Sequence, residues 1–187
     1  MKHILVSFIC SIILISCSNE HKTIDHIELT KAYYSAKGES DFQKLSPMYL
    51  DSIRVSEGEY DMVYSVEDFH KWVAWDSVFK PSYKILEIKS QDSIVEINVA
   101  KDCIRTRFLN EEPTVSKEIL TFSGDKIVNL EIAEYISFNE EKWVTNREKL
   151  VSWVAENHPK LNGFIYDQTK TGGLNYLKAM ELYQASQ

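Results

Sequence analysis

The chain is poor in cysteine, proline and glycine, with 3, 4 and 6 among 187 residues. So little glycine and proline excludes a collagen-like or low-complexity chain. Three cysteines without a CxxC spacing give no disulfide framework. Surplus positive charge is also lacking. Twenty-one Lys and Arg against 28 Asp and Glu leave a net charge of −7, so nothing basic is left over to neutralise phosphates. A nucleic-acid partner is therefore not expected. No apolar run is long enough to span a bilayer. The stretch from Ile4 to Ile15 would rise about 18 Å as a helix, against a hydrocarbon core of roughly 30 Å. Catalytic and metal signatures are missing too: there is no HxH, no HExxH, no Gly-rich phosphate loop and no GxSxG, so no metal site and no cofactor are expected.

What is present is ordinary globular composition, 44% hydrophobic and 12% aromatic, with enough chain for one full core. The first residues stand apart from it. Lys2 followed by the apolar stretch Ile4–Ile15 has the form of a secretory signal. It ends in Leu14-Ile15-Ser16-Cys17, which resembles the lipobox of bacterial lipoproteins. That resemblance implies cleavage after residue 16, acylation of Cys17, and a lipid anchor in the membrane of a bacterial cell envelope. Ser18 in the next position resembles sorting to the outer membrane. Residues 17–25 then read as a short polar tether, whose eight residues from Ser18 extend about 27 Å at most. With Cys10 lost and Cys17 lipidated, Cys103 alone remains, and it reads as a small buried hydrophobe within a strand-like run.

Along the rest of the chain, Ile27, Leu29, Tyr33 and Tyr34 suggest a first helix, Asp41 a cap for a short second one, and Ser52–Ser56 a short strand. Ser65-Val66-Glu67-Asp68 reads as a helix start, with Val66, Phe69, Trp72, Val73 and Phe79 on one face and Asp76 near its middle. Four runs rich in β-branched and aromatic residues follow: Tyr83–Lys89, Ser93–Phe108, Thr114–Phe122 and Lys126–Ser137. Their short connectors predict an antiparallel meander. Lys101-Asp102 interrupts the second run and reads as a bulge or bend. The tail from residue 138 to 187 reads as helical, broken at Pro159 and punctuated by Gly172-Gly173.

Two helices, a short strand, a third helix and a four-stranded meander, over residues 26–137, resemble the nuclear transport factor 2-like fold, which also holds SnoaL-like polyketide cyclases and ketosteroid isomerases. The tract Trp75-Asp76-Ser77-Val78-Phe79-Lys80-Pro81 resembles lipoproteins of this group that carry no assigned activity. The resemblance implies an α+β fold: a cone-shaped, curved antiparallel sheet of about four main strands, with N-terminal helices packed on it and the tail as a helical C-terminal extension.

Three places are candidates for chemistry. Asp76, a carboxylate on an apolar helix face, would be desolvated and its pKa raised, as suits a general base or ligand anchor; alternatively it is a structural acceptor for Tyr, Trp, backbone or Arg groups. Tyr49 and Asp51 match the start of the Tyr-Ala-Asp-Asp segment of ketosteroid isomerases, which places Glu57 where their base stands; Glu57-Gly58-Glu59 also reads as a polar turn. Arg105 and Arg107 alternate along a strand-like run and so share a sheet face. On an inner face they would hold a carboxylate or phosphate; on an outer face they would join a mixed-charge ladder with Glu96, Asn98, Lys117, Asn129 and Glu131. Trp72 is a further candidate for contact with a ligand. The leading reading is a non-catalytic accessory or small-ligand-binding lipoprotein taking a small apolar ligand. The alternatives are an isomerase- or cyclase-like enzyme with a cavity carboxylate as base, and a protein-interaction module that pairs into homodimers.

Overall fold

The computed structural model describes residues 24–187. The expected signal segment 1–16, Cys17 and the tether as far as residue 23 lie outside the described residues. Among the described residues, no helix is long and apolar enough to cross a membrane.

Helix α1 (His26–Glu39) starts where the Asp25 carboxylate accepts from the amides of Ile27 and Glu28, at 3.0 and 3.1 Å. Its first residue ties it to the sheet. The His26 ring nitrogens lie 2.9 Å from the carbonyl oxygens of Asp92 and Gly124, and the ring stacks on Phe122 at 4.5 Å. The short α2 (Phe42–Leu45) is capped by Asp41, as its sequence suggests. Strands β1 (Tyr49–Glu57) and β2 (Tyr60–Ser65) form a hairpin. Ser65 then caps α3 (Val66–Ser77) by accepting from the Asp68 amide. Strands β3 (Ser82–Gln91), β4 (Ile94–Asp102), β5 (Thr114–Ser123) and β6 (Lys126–Ser137) are the expected meander.

The fold is α+β, with helices packed on a curved, unclosed sheet, but the sheet differs from the expectation in two ways. It has six strands, in the order β2-β1-β6-β5-β4-β3, and it is mixed, because β1 pairs with β6 in parallel. The run Ser93–Phe108 is not one strand either. It ends at Asp102, and Cys103 caps a helix, α4 (Ile104–Asn110), its sulfur accepting from the Thr106 amide at 3.3 Å. The Ile104 amide donates to the Phe79 carbonyl instead of a strand neighbour, at 2.9 Å. Cys103 is buried, as a small hydrophobe would be.

The tail forms α5 (Glu140–Asn157), capped by Asn139, and α6 (Lys170–Ala185), capped by Thr169. Helix α6 begins ahead of the glycine pair, which therefore lies inside its first turn. Two core clusters result. One lies between α1, α3 and the inner sheet face, around Tyr33, Leu45, Ile53, Phe69, Ile97 and Leu120. The other joins Trp75, Phe79, Cys103 and Leu109 to Leu150, Val154, Phe164, Tyr176 and Met180 of the tail.

The glycine pair explains how α6 comes so close. A Cβ on Gly172 would lie 2.0 Å from the Asp167 carbonyl oxygen, and one on Gly173 would lie 3.0 Å from that of Trp75. Both neighbours are backbone, so neither can swing aside. Gly172→Ala is expected to destabilise by about 1–3 kcal/mol in urea unfolding, the range for overpacking a filled site. Gly38→Ala is the control: its Cβ would meet only a side-chain carbon of Tyr83, at 3.7 Å, and should be nearly neutral.

Candidate functional site

The inner face of the sheet is apolar towards the β3–β4 and β5–β6 turns and polar towards the other end. Strand β5 shows the change: Phe122 and Leu120 are buried on this face, and Glu118 and Ser116 continue it. The polar end encloses a cavity of about 330 Å³. Its walls include Lys37, Glu57, Trp72, Tyr83, Lys101, Arg105, Glu118, Tyr135, Phe138 and Trp143. A second cavity of about 460 Å³ shares Lys37, Glu57, Trp72, Glu118 and Ile132 with it and extends to Tyr60, Tyr64, Phe69 and Gln168. Phe138 and Trp143 belong to the tail, so the C-terminal extension walls part of this space.

Asp76 lies behind the first cavity, 3% exposed. The Lys101 ammonium spans its two carboxylate oxygens at 2.8 and 2.9 Å, and the Tyr83 hydroxyl donates to one of them at 3.2 Å. The expected rise in pKa is not found. Burial does push the carboxyl up, but the charge and hydrogen bond of Lys101, with the charges of Arg105 and Lys37, outweigh it and hold Asp76 below its usual range. Burial, and then the Asp76 charge, push the Tyr83 hydroxyl well above its ordinary value.

Two further carboxylates face the cavity, and hydroxyl donors hold each. Glu118 accepts from Tyr34 at 2.5 Å and from Ser116 at 2.8 Å. Tyr34 stays a proton donor there, because burial and then the Glu118 charge raise it well above its normal value. Glu57, at the end of β1, accepts from Tyr135 at 2.7 Å. At the mouth of the second cavity the hydroxyls of Tyr60 and Tyr64 are in contact, and burial first, then that bond, pushes Tyr64 up to about 12.

The cations are arranged differently. Lys37, in the last turn of α1, is buried among four rings, its ammonium 5.0 Å from the Tyr83 centroid and 5.5–5.6 Å from those of Tyr33, Tyr34 and Trp72. Ring faces carry partial negative charge and stabilise such a cation. Arg105 is half-buried, its guanidinium carbon 4.8 Å from the Trp75 ring, 5.2 Å from Trp143 and 5.6 Å from Phe79. Its Nε is fully buried and has no hydrogen-bond partner among the described residues. Neither Lys37 nor Arg105 has a carboxylate within 4 Å among the described residues, whereas Lys101 does.

The two arginines therefore do not share a sheet face. They sit two residues apart on a helix, so they point in different directions. Arg107 is outside, paired with Asp102 at 2.6 and 2.7 Å. The outer ladder exists without them, in Lys117 to Glu96 at 2.9 Å and Asn98 to Glu87 at 3.2 Å. The structure brings Trp72, Glu57 and Arg105 around one space, sets Asp76 behind its wall on Lys101 and Tyr83, and leaves Arg107 out of it. Sequence reading missed Lys37, Lys101 and Glu118. The alternation of β5 carried a signal for Glu118, since Ser116 and Glu118 keep the period of Leu120 and Phe122.

No family model and no curated protein sequence matches the chain. Solved structures do resemble it. One is an NTF2-like protein of unknown function from Cytophaga hutchinsonii, 9% identical, covering 65% of this chain and 96% of its own, with a TM-score of 0.50. Another is a hypothetical protein with a ketosteroid isomerase-like fold from Catenulispora acidiphila, in complex with trimethylamine. It is 13% identical, covers 63% of this chain and 92% of its own, and has a TM-score of 0.50. At such identities the likeness is one of fold.

Proposed function

We propose that this chain, which has the nuclear transport factor 2-like fold, is a lipid-anchored protein of a bacterial cell envelope that binds a small molecule in its cavity without converting it. The observation that carries the binding reading is how the cavity's polar groups are used. Asp76 and Glu118 each have both oxygens engaged, by Lys101 and Tyr83 and by Tyr34 and Ser116, and Glu57 alone keeps one oxygen open beside its bond from Tyr135. An acid–base catalyst needs a carboxylate free to take a substrate proton. A binder needs polar groups that converge beside apolar walls, and Lys37 and Arg105 beside Trp72, Phe138 and Trp143 are such a set within a cavity of mixed polarity. The anchoring rests on Leu14-Ile15-Ser16-Cys17, and the outer-membrane address on Ser18. Several acyl chains on one cysteine hold firmly, at about 0.8 kcal/mol per buried methylene.

Two measurements test the reading. On Triton X-114 partitioning the wild-type protein should enter the detergent phase and incorporate labelled palmitate, and Cys17→Ala should do neither; palmitate labelling of the variant would overturn the anchor. Native mass spectrometry of the gently purified protein should show a retained small molecule, recovered unchanged after incubation. Turnover of a carbonyl compound that Glu57→Gln abolishes would establish the isomerase reading in its place.

A further inference from the structure

We infer that the molecule this cavity takes is a small organic monocarboxylate, seated with its carboxylate on Arg105 and Lys37 and its apolar body between the aromatic walls. This rests on the ligand-binding reading above and narrows it to a chemical class. Arg105 and Lys37 are the cavity cations left without an acceptor among the described residues, since Lys101 is taken by Asp76. Arg107, on the same helix, shows the usual outcome for an arginine here, a two-point pair with Asp102. Arg105 is denied any such pair and keeps a buried N–H unpartnered. That Nε is closed off by the packing, as are the unpartnered Trp75 Nε1 and Tyr33 hydroxyl, so what Arg105 offers the cavity it lines is its terminal N–H groups.

The geometry selects the acceptor. Trp75, Phe79 and Trp143 pack around the guanidinium and hold it in place. Its remaining N–H donors lie in the guanidinium plane, and a carboxylate is the planar two-oxygen partner that matches them. The charge selects a monoanion. Glu57 and Glu118 line the same cavity, so a phosphate dianion would meet two carboxylates at close range. The volume of about 330 Å³, near the lower end of the usual range of roughly 300–1,000 Å³, selects a small body.

Phenylacetate is a suitable probe, with phenylacetamide as its neutral counterpart, phenethylamine as the cation and inorganic phosphate as the dianion. Trp72 and Trp143 line the cavity, so tryptophan fluorescence of the full chain in mild detergent reports binding, with calorimetry as the check. Phenylacetate should bind roughly ten- to a hundredfold more tightly than its amide, the ratio expected for charge-assisted hydrogen bonds. Arg105→Gln should weaken phenylacetate far more than the amide and so remove most of that advantage, while Arg107→Gln should alter neither by more than about twofold. Arg105→Lys, which keeps the charge and loses the planar fork, should fall between. Equal or tighter binding of the amide, the amine or phosphate would overturn the monocarboxylate and leave the binding reading standing. Failure of all four probes, with no retained molecule on mass spectrometry, would overturn both. If Arg105→Gln unfolds, the carboxylate-to-amide ratio on the unaltered protein decides alone.

Discussion

Replacing Asp76 by Asn should cost about 3 kcal/mol of unfolding free energy at pH 7, which makes it among the most damaging single changes in the molecule. The variant leaves the Lys101 ammonium beside a neutral amide in a site where the aspartate is 3% exposed and the lysine side chain 21%. Removing one partner of a buried pair costs roughly 3–5 kcal/mol, and the partial exposure of Lys101 puts the effect at the low end. The pH dependence tests the cause. Folding holds the Asp76 carboxyl below its usual range, so near and below that range the unfolded chain binds a proton that the folded one does not. The contribution is fully present above the unfolded value of about 3.9 and is lost as pH falls through the lower folded value. Urea unfolding of the two proteins from pH 7 downward should therefore show a constant gap to about pH 4.5 that narrows below it. A gap that stays constant to about pH 2 would show that the substituted amide is penalised for shape and not for lost charge.

Ending the chain after Ser137 should abolish cooperative folding. The segment before it resembles a complete fold on paper, yet the second core cluster lies across the cut. Phe79 and Leu109 are 0% exposed and Trp75 5%, and all three are covered by tail residues such as Leu150, Tyr176 and Met180. Phe79 meets Tyr176 edge to face at 5.6 Å. Exposing three large side chains at about 1.5–3 kcal/mol each forfeits roughly 5–9 kcal/mol, comparable with the 5–15 kcal/mol that holds a typical domain together. The truncated chain should show no sigmoidal melt by circular dichroism. A cooperative melt within a few degrees of the intact protein would make the tail a dispensable appendage.

Local signals in the sequence carry much of this fold. The cap at Ser65, the apolar face of α3 and the β-branched runs with short connectors each place an element within a few residues of where it stands. What was illegible is non-local. Strand β2 is mostly exposed along its length, so no alternation marks it. The parallel neighbours β1 and β6 are separated in the chain by every other strand of the sheet, and nothing local announces their pairing. Ile104-Arg105-Thr106-Arg107-Phe108 has the β-branched alternation of a strand, yet Cys103 caps a helix there and the Phe79 carbonyl takes the Ile104 amide. The site suffered in the same way. That Asp76 faces the core is readable from helical periodicity, but the direction of its pKa depends on Lys101, 25 residues later on another element. Lys37 reads as an ordinary solvated lysine near a helix end, and only the packing of Tyr33, Tyr34, Trp72 and Tyr83 around it says otherwise.

The tie between His26 and the carbonyls of Asp92 and Gly124 sets a direction for the whole molecule. Those carbonyls belong to the turns at one end of the sheet, whereas Lys37, Lys101, Thr114 and Tyr135 surround the cavity at the other. Helix α1, 14 residues or about 21 Å long, runs from the first end to the second. A tether fixed at Cys17 and joining the domain just ahead of His26 would hold the turn end toward the bilayer and aim the cavity into the aqueous compartment. Anchored as proposed, the domain would meet solutes in the fluid around it, and a lipid still seated in the anchoring leaflet would be out of its reach.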